Sequence, residues 1–521
     1  MGREACAFRP PDAMAGASDT APPLLAMRGI VKRFGTAAAC DGVDLTLRAG
    51  DVLGLLGENG AGKTSLMNVL FGTYAADEGA ILIEGRPVQI RDSADALKLG
   101  IGMVHQHFHL VPRHTVLENL MVGRPGTGMR LDRAGALAKL TEIGEAYGLG
   151  LDPDALAQDL AIGEQQRLEI VKALFRGARI LILDEPTAAL TPQETEGLFQ
   201  AVRAMAARGL AVIFISHKLE EVRAITTHVI VMRQGRVVAE LQNAPELSGR
   251  RIAELMCGRP IQPPIKGAAT LGPVLLRLSE VSTAGSERRR LKSVSLEVRG
   301  GEIVGIAGVS GNGQLELADV IAGMLEPSSG RIEIAGQLLT EASPRRVQEL
   351  KVGRIPEDRM GVGLLTQSPL ADSMVLPRVQ EPPFSRRGLI DRRAILAFAR
   401  EQIERYAIRA AGPTVRTGTL SGGNLQKALL ARELASDPQV VIAAQPTRGL
   451  DVSAAGFVHS RFLELRSQGR ALLVISEDLE ELFLLADRIA VMSAGRIVGD
   501  LPIAEATVER IGLMMTGAEA A

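Results

Sequence analysis

The sequence predicts an α/β protein made of two similar halves, and three observations support this class. Short apolar runs bounded by turn residues recur along the 521 residues, for example at 52–56 and 180–183, as expected for buried parallel strands. Helical patterns lie between these runs, as in 136–147, where Leu137, Leu140, Ile143 and Tyr147 follow the possible N-cap Asp132. The chain also repeats its own motifs. Each half is therefore expected to have a mainly parallel sheet with helical insertions.

Three motifs return in the same order in the second half of the chain. The sequence GENGAG at position 57 returns as GVSGNG at 308, DEPT at 184 returns as AQPT at 444, and ISH at 215 returns as ISE at 475. The offsets are 251, 260 and 260 residues, so two copies of one domain follow each other. We expect a disordered leader at 1–22, the first copy at 23–257, a Pro- and Gly-rich linker at 258–272, the second copy at 273–515 and a tail at 516–521.

The composition argues against several functional classes. The net charge is -1 and 23% of residues are charged, so nothing indicates binding to nucleic acid or to an anionic membrane by charge. The three cysteines, Cys6, Cys40 and Cys257, are far apart, which fits a reducing compartment and gives neither a disulfide framework nor a metal-binding spacing. The leader lacks the apolar core of a signal peptide, and no apolar run reaches transmembrane length. We expect a cytoplasmic protein whose membrane role, if any, depends on a partner.

The stretch from Gly57 to Thr64 has the glycine-rich pattern that surrounds nucleotide phosphates. An apolar strand pattern precedes it and a helix-compatible run follows it, which is the context this motif needs. The glycines allow a tight turn that directs N–H groups toward an anion, Lys63 adds charge against the β- and γ-phosphates, and the Thr64 hydroxyl ligates Mg²⁺. A glycine-rich turn that fits the pattern by chance is the alternative, and the downstream motifs weigh against it. The candidate nucleotide-binding residues are Gly57, Glu58, Asn59, Gly60, Ala61, Gly62, Lys63, Thr64 and Ser65.

Polar residues at the ends of other predicted strands complete a candidate hydrolytic site. Asp184 suits the water shell of Mg²⁺, and Glu185 suits polarisation of the attacking water. Gln106 and His217 also follow apolar strands, where they could reach the γ-phosphate and the metal. The catalytic candidates are thus Glu185, His217, Gln106 and Lys63, and the magnesium candidates are Thr64, Gln106 and Asp184.

The order of these motifs resembles the ATP-binding-cassette (ABC) ATPases across roughly residues 23 to 515. This resemblance implies two tandem P-loop NTPase cassettes, each with a mainly parallel core, a helical subdomain and a small antiparallel β subdomain. Phe34 stands where the family places a ring that stacks on adenine. In the family, the helix that begins with the Leu-Ser-Gly-Gly-Gln signature serves the ATP bound to the opposite cassette. The second copy's matching residues are Ser421, Gly422, Gly423 and Asn424, and 160–167 is the first copy's version.

A narrower resemblance is to fused double-cassette ATPases of simple-sugar and nucleoside importers, with the nucleoside branch closer. It is carried by 103–108 (MVHQHF), by 420–424 (LSGGN) and by 443–451 (AAQPTRGLD). It implies integral-membrane permease subunits as partners, an extracytoplasmic solute-binding protein acting indirectly, and a position on the cytoplasmic face of the membrane. It also implies that a monomeric tandem acts as its own cassette dimer. In the family, permease helices dock on the segments after Gln106 and after Glu357, so 108–122 is the candidate surface coupled to the permease. No nucleic-acid partner is expected.

The second copy has lost the residues on which hydrolysis depends. Gln314 and Leu315 stand at the lysine and Ser/Thr positions, Ala444 and Gln445 replace the acidic pair, and Glu477 replaces the histidine. The first copy's signature departs as well, with Ala161 where the family has Ser, and Thr191 stands where the family usually has Asp.

Head-to-tail pairing of the copies, which the resemblance implies, then gives one complete and one degraded composite site. The complete site combines the first copy's catalytic residues with the second copy's signature and Asp451. The degraded site combines Gln314, Leu315, Glu357, Ala444, Gln445 and Glu477 with Ala161, Gly163 and Thr191. We expect nucleotide to bind weakly or not at all at the degraded site.

Other interpretations remain. A soluble tandem cassette that acts on ribosomes or DNA resembles the first copy equally well, but such proteins usually keep both acidic pairs and carry a long charged linker. A catalytically inactive scaffold is opposed by the complete first site. The alternating His105, His107 and His109 have no acidic or thiol residue nearby in sequence, so zinc is disfavoured, and Arg288-Arg289-Arg290 is best read as a solvated turn.

Overall fold

The computed structural model describes most of the chain in two compact units. The described residues are 22–35, 37–105, 108–122, 132–187, 190, 192–216, 218–244, 247–258, 260, 266–268, 270–285, 290–309 and 311–515, with the side chains of 192 and 193 excepted. The division along the chain falls between Ile252 and Ala253. The boundaries expected at 257/258 and 272/273 remain predictions.

The first unit is built on a six-stranded sheet and a four-stranded sheet. The larger sheet has the order β10-β9-β3-β8-β7-β6, with β10 antiparallel to its neighbour and the other neighbours parallel. The smaller sheet is antiparallel, in the order β2-β1-β4-β5. The strands are β1 (Leu25–Phe34), β2 (Ala37–Leu47), β3 (Val52–Leu56), β4 (Glu78–Ile83), β5 (Arg86–Val88), β6 (Ile101–Val104), β7 (Ile180–Asp184), β8 (Ala211–Ile215), β9 (His228–Arg233) and β10 (Arg236–Gln242).

The helices that follow in chain order are α1 (Lys63–Leu70), α2 (Ser93–Lys98), α3 (Val116–Met121), α4 (Arg133–Tyr147), α5 (Ile162–Phe175), α6 (Pro192–Ala207), α7 (Leu219–Ile225) and α8 (Gly249–Cys257). Asp132 caps α4, as predicted, by accepting a hydrogen bond from the Gly135 N–H. The predicted apolar face of α4 is wrong at Leu137, which is 42% exposed, whereas Ala136 is buried beside Leu140 and Ile143. The buried face of α4 therefore keeps the predicted Leu140 and Ile143, and Ala136, four residues before Leu140, takes the place predicted for Leu137.

The second unit repeats this architecture. Its larger sheet, read from β22, has the order β22-β21-β13-β20-β19-β16, which matches the first unit strand for strand, and its antiparallel sheet has the order β12-β11-β14-β15. The strands are β11 (Val274–Thr283), β12 (Val294–Arg299), β13 (Ile303–Ala307), β14 (Pro327–Ile334), β15 (Gln337–Leu338), β16 (Val352–Ile355), β17 (Ser385–Arg386), β18 (Leu389–Ile390), β19 (Val440–Ala444), β20 (Ala471–Ile475), β21 (Arg488–Ser493) and β22 (Arg496–Pro502).

The helices of the second unit are α9 (Gln314–Ile321), α10 (Pro344–Glu349), α11 (Leu370–Val375), α12 (Arg392–Arg405), α13 (Gly422–Leu434), α14 (Val452–Ser467), α15 (Leu479–Leu485) and α16 (Val508–Met515). The unit also contains a π-helical turn at Arg359–Gly363. The two-stranded hairpin β17-β18 stands apart from both sheets.

The central strands of both units are buried along their whole length. Every residue of β3, β7 and β8 is buried, and so is every residue of β13, β19 and β20. Parallel strands covered by helices on both faces read as continuous apolar runs, which explains why the sequence revealed them. The predicted α/β class with two parallel-sheet units is confirmed. In the described part of the chain, none of the helices has the length and apolar character needed to span a bilayer.

Candidate functional site

The glycine-rich loop of the first unit connects β3 to the N-terminus of α1. Gly57 has φ +155° and Gly62 has φ +102°, both in the region that favours glycine. A Cβ at Gly57 would lie 2.3 Å from the Met232 carbonyl oxygen, and one at Gly62 would lie 2.1 Å from the Ala39 carbonyl oxygen. No side chain can be added at either position without moving backbone, so the tight loop conformation depends on glycine.

Lys63 holds a full positive charge against this loop. The residue is only 7% exposed, and its Nζ donates a hydrogen bond to the Gly57 carbonyl at 2.6 Å. Lys63 is also the first residue of α1, where the backbone N–H groups of the first turn have no acceptor within the helix. An ammonium group and helix-terminal N–H groups at one loop fit a polyphosphate anion.

Asp184 and Thr64 bring a carboxylate and a hydroxyl together beside Lys63. Asp184 ends β7 and is 7% exposed. Burial and the nearby charge of Glu185 raise the pKa of Asp184 to about 6, although the Lys63 charge and a hydrogen bond with the Thr64 side chain act in the opposite direction. Hard oxygen donors of this kind are those that Mg²⁺ prefers, and a buried carboxylate with a raised pKa gains from a bound cation. These two residues fit the predicted magnesium role.

Glu185 adopts a strained backbone conformation directly after Asp184. Its φ is +49°, in the left-handed region, and its N–H donates to the Ile215 carbonyl at 2.9 Å. The second unit repeats this geometry at Gln445, where φ is +47° and the N–H donates to Ile475 at 2.8 Å. The position is therefore defined by the fold, while the side chain that it presents differs between the copies.

Glu221 is a residue of this site that sequence reasoning missed. Its carboxylate, nearly buried on α7, accepts hydrogen bonds from the Thr187 hydroxyl at 2.6 Å and the Ser216 hydroxyl at 2.9 Å. Thr187 follows the acidic pair and Ser216 precedes His217, so Glu221 connects the two segments. In the second unit Glu481 accepts from Thr447 and Ser476 in the same way. This recurrence 260 residues later is the signal that could have identified Glu221.

Several predicted residues lie outside the described part of the chain. Gln106 and His217 are among them, as are Thr191 of the first copy and the first two residues, Arg288 and Arg289, of the basic cluster 288–290. Their predicted roles stay predictions. Within the described ranges, no group of three or more His, Cys, Asp or Glu side chains is arranged to hold a metal ion.

Phe34, the predicted adenine contact, is a partly exposed aromatic residue at the end of β1. Its ring packs edge-to-face on Tyr74, with centroids 5.2 Å apart and an interplanar angle of 79°. Lys32 lies 5.7 Å from the ring centroid, and Phe34 keeps 45% of its surface exposed. Its exposure leaves ring surface on which a base could stack.

The predicted coupling segment 108–122 is attached to α5, the helix of the first signature. The His109 N–H donates to the Glu169 carboxylate at 2.6 Å, and Lys172 donates to the His109 carbonyl at 2.9 Å. Lys172 also pairs with Glu169 at 2.7 Å. Asn119, which is 4% exposed, holds the rest of the segment by bonding the backbone of Val111 through both its oxygen and its nitrogen. The segment and the signature helix are therefore joined by polar contacts centred on the buried Glu169 carboxylate.

In the second unit the side chain of Gln314 occupies the glycine-rich loop. Its Oε1 accepts a hydrogen bond from the Asn312 N–H at 3.0 Å, and its Nε2 donates to the Val309 carbonyl at 2.9 Å. Gln314 is 6% exposed, whereas the neighbouring Leu315 is 49% exposed. The neutral side-chain amide of Gln314 thus occupies the Asn312 N–H, a loop donor of the kind that binds a phosphate oxygen in a nucleotide site.

The two signature helices differ in their N-terminal residues. Ser421 precedes α13, and its hydroxyl accepts a hydrogen bond from the Asn424 side chain at 2.9 Å. Ala161 precedes α5 and has no hydroxyl. Gly163 lies tightly against Glu194, whose Oε1 would be 2.2 Å from an added Cβ. The second signature therefore keeps the serine and both glycines that a phosphate contact uses, whereas the first has lost the serine.

A glycine-rich loop between a buried strand and a helix, with an acidic pair at the end of a neighbouring parallel strand, defines a P-loop nucleoside triphosphatase. The ABC transporter family model matches residues 40–188 and 291–448, once in each unit. The chain belongs to the ABC transporter family and is an ABC-type ATPase. The family predicted from the motifs is confirmed.

Curated relatives cover nearly the whole chain. The "Nucleoside import ATP-binding protein NupA" of Lactococcus lactis subsp. cremoris is 42% identical over 95% of this chain and 98% of its own length. The "Ribose import ATP-binding protein RbsA 1" of Rubrobacter xylanophilus is 41% identical over 96% of this chain and 99% of its own length. Among solved structures, a model of ribosome-bound archaeal Pelota and ABCE1 matches 94% of this chain and 80% of its own with a TM-score of 0.65. At 18% identity this last likeness concerns the fold alone.

Proposed function

We propose that this chain is the ATP-hydrolysing subunit of an importer that takes up a nucleoside or a simple sugar through separate permease subunits. The observation that supports this most is full-length similarity to import ATP-binding proteins, together with a first unit that retains the loop, lysine and acidic pair of a working ATPase. The permease would hold the chain on the cytoplasmic face of the membrane. A solute-binding protein on the other side would act through the permease.

We place ATP hydrolysis at a composite site formed from the first unit's loop and the second unit's signature. Lys63 and the α1 N-terminus would bind the phosphates, Phe34 would stack on adenine, and Glu185 would accept the proton of the attacking water. Ser421 and the first turn of α13 would contact the γ-phosphate from the other unit. This pairing is proposed from the sequence motifs and the family resemblance, and the single unit geometries are compatible with it.

Thr64 and Asp184 would hold Mg²⁺ in this proposal, with Gln106 as a further candidate. Bound Mg²⁺ supplies neutralisation of phosphate charge during transfer. The chain's own residues hold the Asp184 carboxylate in place for the metal. The Thr64 side chain is hydrogen-bonded to Asp184, and the Lys63 charge partly compensates the carboxylate charge. Glu221 bonds the Thr187 and Ser216 hydroxyl groups, and so holds the segment that follows Glu185 against the end of β8.

The second unit's own loop is proposed to take no catalytic part. Gln314 fills it with a neutral amide, Leu315 offers no metal-binding hydroxyl, and Ala444 and Gln445 provide neither magnesium ligand nor general base. Loss of a general base alone typically removes about 10²- to 10⁴-fold in rate. The unit would therefore serve as the signature donor for the other half.

The proposed permease contact is the segment 108–122 of the first unit. Because Glu169 and Lys172 join this segment to α5, a displacement at the permease would move the first signature helix with it. Val111 and Val122 remain 39% and 45% exposed, which leaves apolar surface for a docking helix. Closure on ATP and reopening after hydrolysis would then be passed to the permease as a domain movement.

The solute is proposed to be a nucleoside, because the sequence motifs resemble the nucleoside branch more closely and a nucleoside import protein is 42% identical. Thermal-shift screening of the associated solute-binding protein tests this choice. Stabilisation by nucleosides and not by free pentoses or hexoses is expected, and the reverse pattern would reject the nucleoside proposal.

Membrane association separates the importer from a soluble ATPase that acts on ribosomes. The tagged full chain should co-purify with permease subunits from detergent-solubilised membranes and should drive solute uptake in their company. The Lys63→Ala variant should still co-purify but support no uptake. Co-sedimentation with ribosomes in place of permease subunits would overturn the importer proposal.

A further inference from the structure

Arg359 makes contacts that connect three functional segments of the second unit. It begins the π-helical turn after β16, and its guanidinium donates to the Arg448 carbonyl through Nη2. Its Nη1 lies 3.5 Å from the carbonyl oxygen of Gly422, the first residue of α13. The signature helix and the segment after β19 are therefore both bonded to one side chain.

A second contact completes the network. The Glu357 carboxylate forms an ion pair with the Arg448 guanidinium. Asp358, between Glu357 and Arg359 in sequence, caps the π-helical turn. Its carboxylate accepts hydrogen bonds from the N–H groups of Met360 at 3.0 Å and Gly361 at 2.8 Å. Two cations and two carboxylates thus balance each other in this part of the second unit.

Without these partners, the charged guanidinium of Arg359 would be unfavourable at this partly buried position. Burial and the positive charge of Arg448 lower the pKa of Arg359, and the Asp358 charge opposes this shift. A cation at a helix N-terminus is also disfavoured by the helix dipole. The carbonyl groups of Gly422 and Arg448 and the two carboxylates offset these costs, so the arrangement is held by a specific set of contacts.

The first copy cannot form this network. Counting from the glycine-rich loops, Gln106 and Phe108 occupy the positions of Glu357 and Arg359, and counting from the acidic pair, Ala188 occupies the position of Arg448. All three charged side chains are therefore found only in the copy whose glycine-rich loop is filled by Gln314.

We propose that Arg359 is a positioning residue that, with Glu357 and Arg448, fixes the N-terminus of the second signature helix without nucleotide in the second unit's own loop. No γ-phosphate is proposed in the second unit's own loop that could order the segments after β16 and β19, so the three side chains connect those segments to the signature helix. This inference rests on the proposed function and deepens it. It explains how Ser421 and Gly422 are held in position for the first unit's ATP, although the second unit binds no ATP in its own loop.

Hydrogen exchange of the full chain without nucleotide tests the inference directly. In Arg359→Gln we expect amides of 420–426 to exchange about tenfold faster than in the wild type, since contacts to a charged donor are lost. The matched control is Arg354→Gln, which loses an ion pair to Asp319 at 2.6 Å in the same unit but no contact to the signature. Exchange in Arg359→Gln equal to the wild type, or equally fast exchange of 420–426 in Arg354→Gln, would overturn the inference.

ATPase kinetics of the same variants separate this inference from the proposed composite site. Arg359→Gln should lower kcat while the KM for ATP changes less than about twofold, because the phosphate loop of the first unit is intact. Faster exchange at 420–426 with unchanged kcat would support the positioning role and reject the composite site. Glu357→Gln, which restores the residue type of Gln106, gives the same exchange readout if Arg359→Gln does not fold.

Discussion

Replacing Glu185 by Gln should remove hydrolysis while leaving the fold and nucleotide binding intact. The chain itself contains this substitution, because Gln445 occupies the matching position with φ +47° against +49° and with the same N–H to carbonyl contact, 2.8 Å against 2.9 Å. The amide is therefore compatible with the strained backbone. The substitution removes only the proton acceptor, and a general base typically accelerates a reaction by about 10²- to 10⁴-fold. At about 1.36 kcal/mol per factor of ten, the barrier should rise by about 2.7–5.4 kcal/mol.

Phosphate release at saturating Mg-ATP measures this effect, and ATP affinity measured by fluorescence titration serves as the internal control. The matched variant is Gln445→Glu, which should not raise the rate because Gln314, Leu315 and Ala444 still deprive the second unit of charge and metal ligands. A Glu185→Gln protein that retains more than about a tenth of the wild-type rate would refute the assignment of Glu185 as general base.

Three further predictions concern single side chains. Lys63→Gln, which places the second unit's Gln314 residue type in the first loop, should weaken ATP binding about 10- to 100-fold, as expected for a lost charge-assisted contact. Equilibrium dialysis measures this change, and an unchanged Kd would contradict it. Phe34→Ala should raise the Kd for ATP about 5- to 100-fold with little change in kcat, and an unchanged Kd would exclude stacking on this ring. Asp487→Ala should lower the free energy of unfolding in urea by about 3–5 kcal/mol, because Arg466, which is 5% exposed, loses two 2.8 Å bonds to the carboxylate and Lys266 loses its ion pair. Burial alone would raise the pKa of Asp487, but the Arg466 bonds, the Ile303 N–H and the Lys266 charge outweigh it and lower that pKa. This stabilisation is therefore present above the unfolded-state pKa of about 3.9 and is lost as the pH falls through the lower folded-state pKa. A penalty for Asp487→Ala that is unchanged at pH 2 would contradict this.

The buried strands and the glycine-rich loop were predictable because their physical requirements are written in local sequence. A strand covered on both faces must be apolar throughout, as β3 and β13 are. Gly57 and Gly62 are required because neighbouring carbonyl groups leave no space for a Cβ. The lysine stands at the end of this loop, and the acidic pair stands at the end of a later buried strand. These residue types in these places predict the nucleotide site from the sequence alone.

The contacts between distant side chains were not predictable in this way. Glu221 lies on a helix that carries no motif, and its role depends on two hydroxyl groups brought to it by separate strands. Gln314 read simply as a missing lysine, whereas its amide bonds the loop at both ends. Arg359 was not distinguished from other surface charges, because its partners are carbonyl groups, which every residue has. Leu137 was predicted to be buried because a spacing of three residues from Leu140 also fits a helical face, whereas the structure buries Ala136, four residues before Leu140.

The number of Mg-ATP molecules bound tightly per chain tests the central claim most directly. Measured by equilibrium dialysis on Glu185→Gln, which binds but does not turn over, the account predicts one molecule per chain, and none when Lys63→Ala is added. Two molecules of equal affinity per chain, or one molecule that persists in the double variant and is lost only on substitution of Gln314, would contradict it.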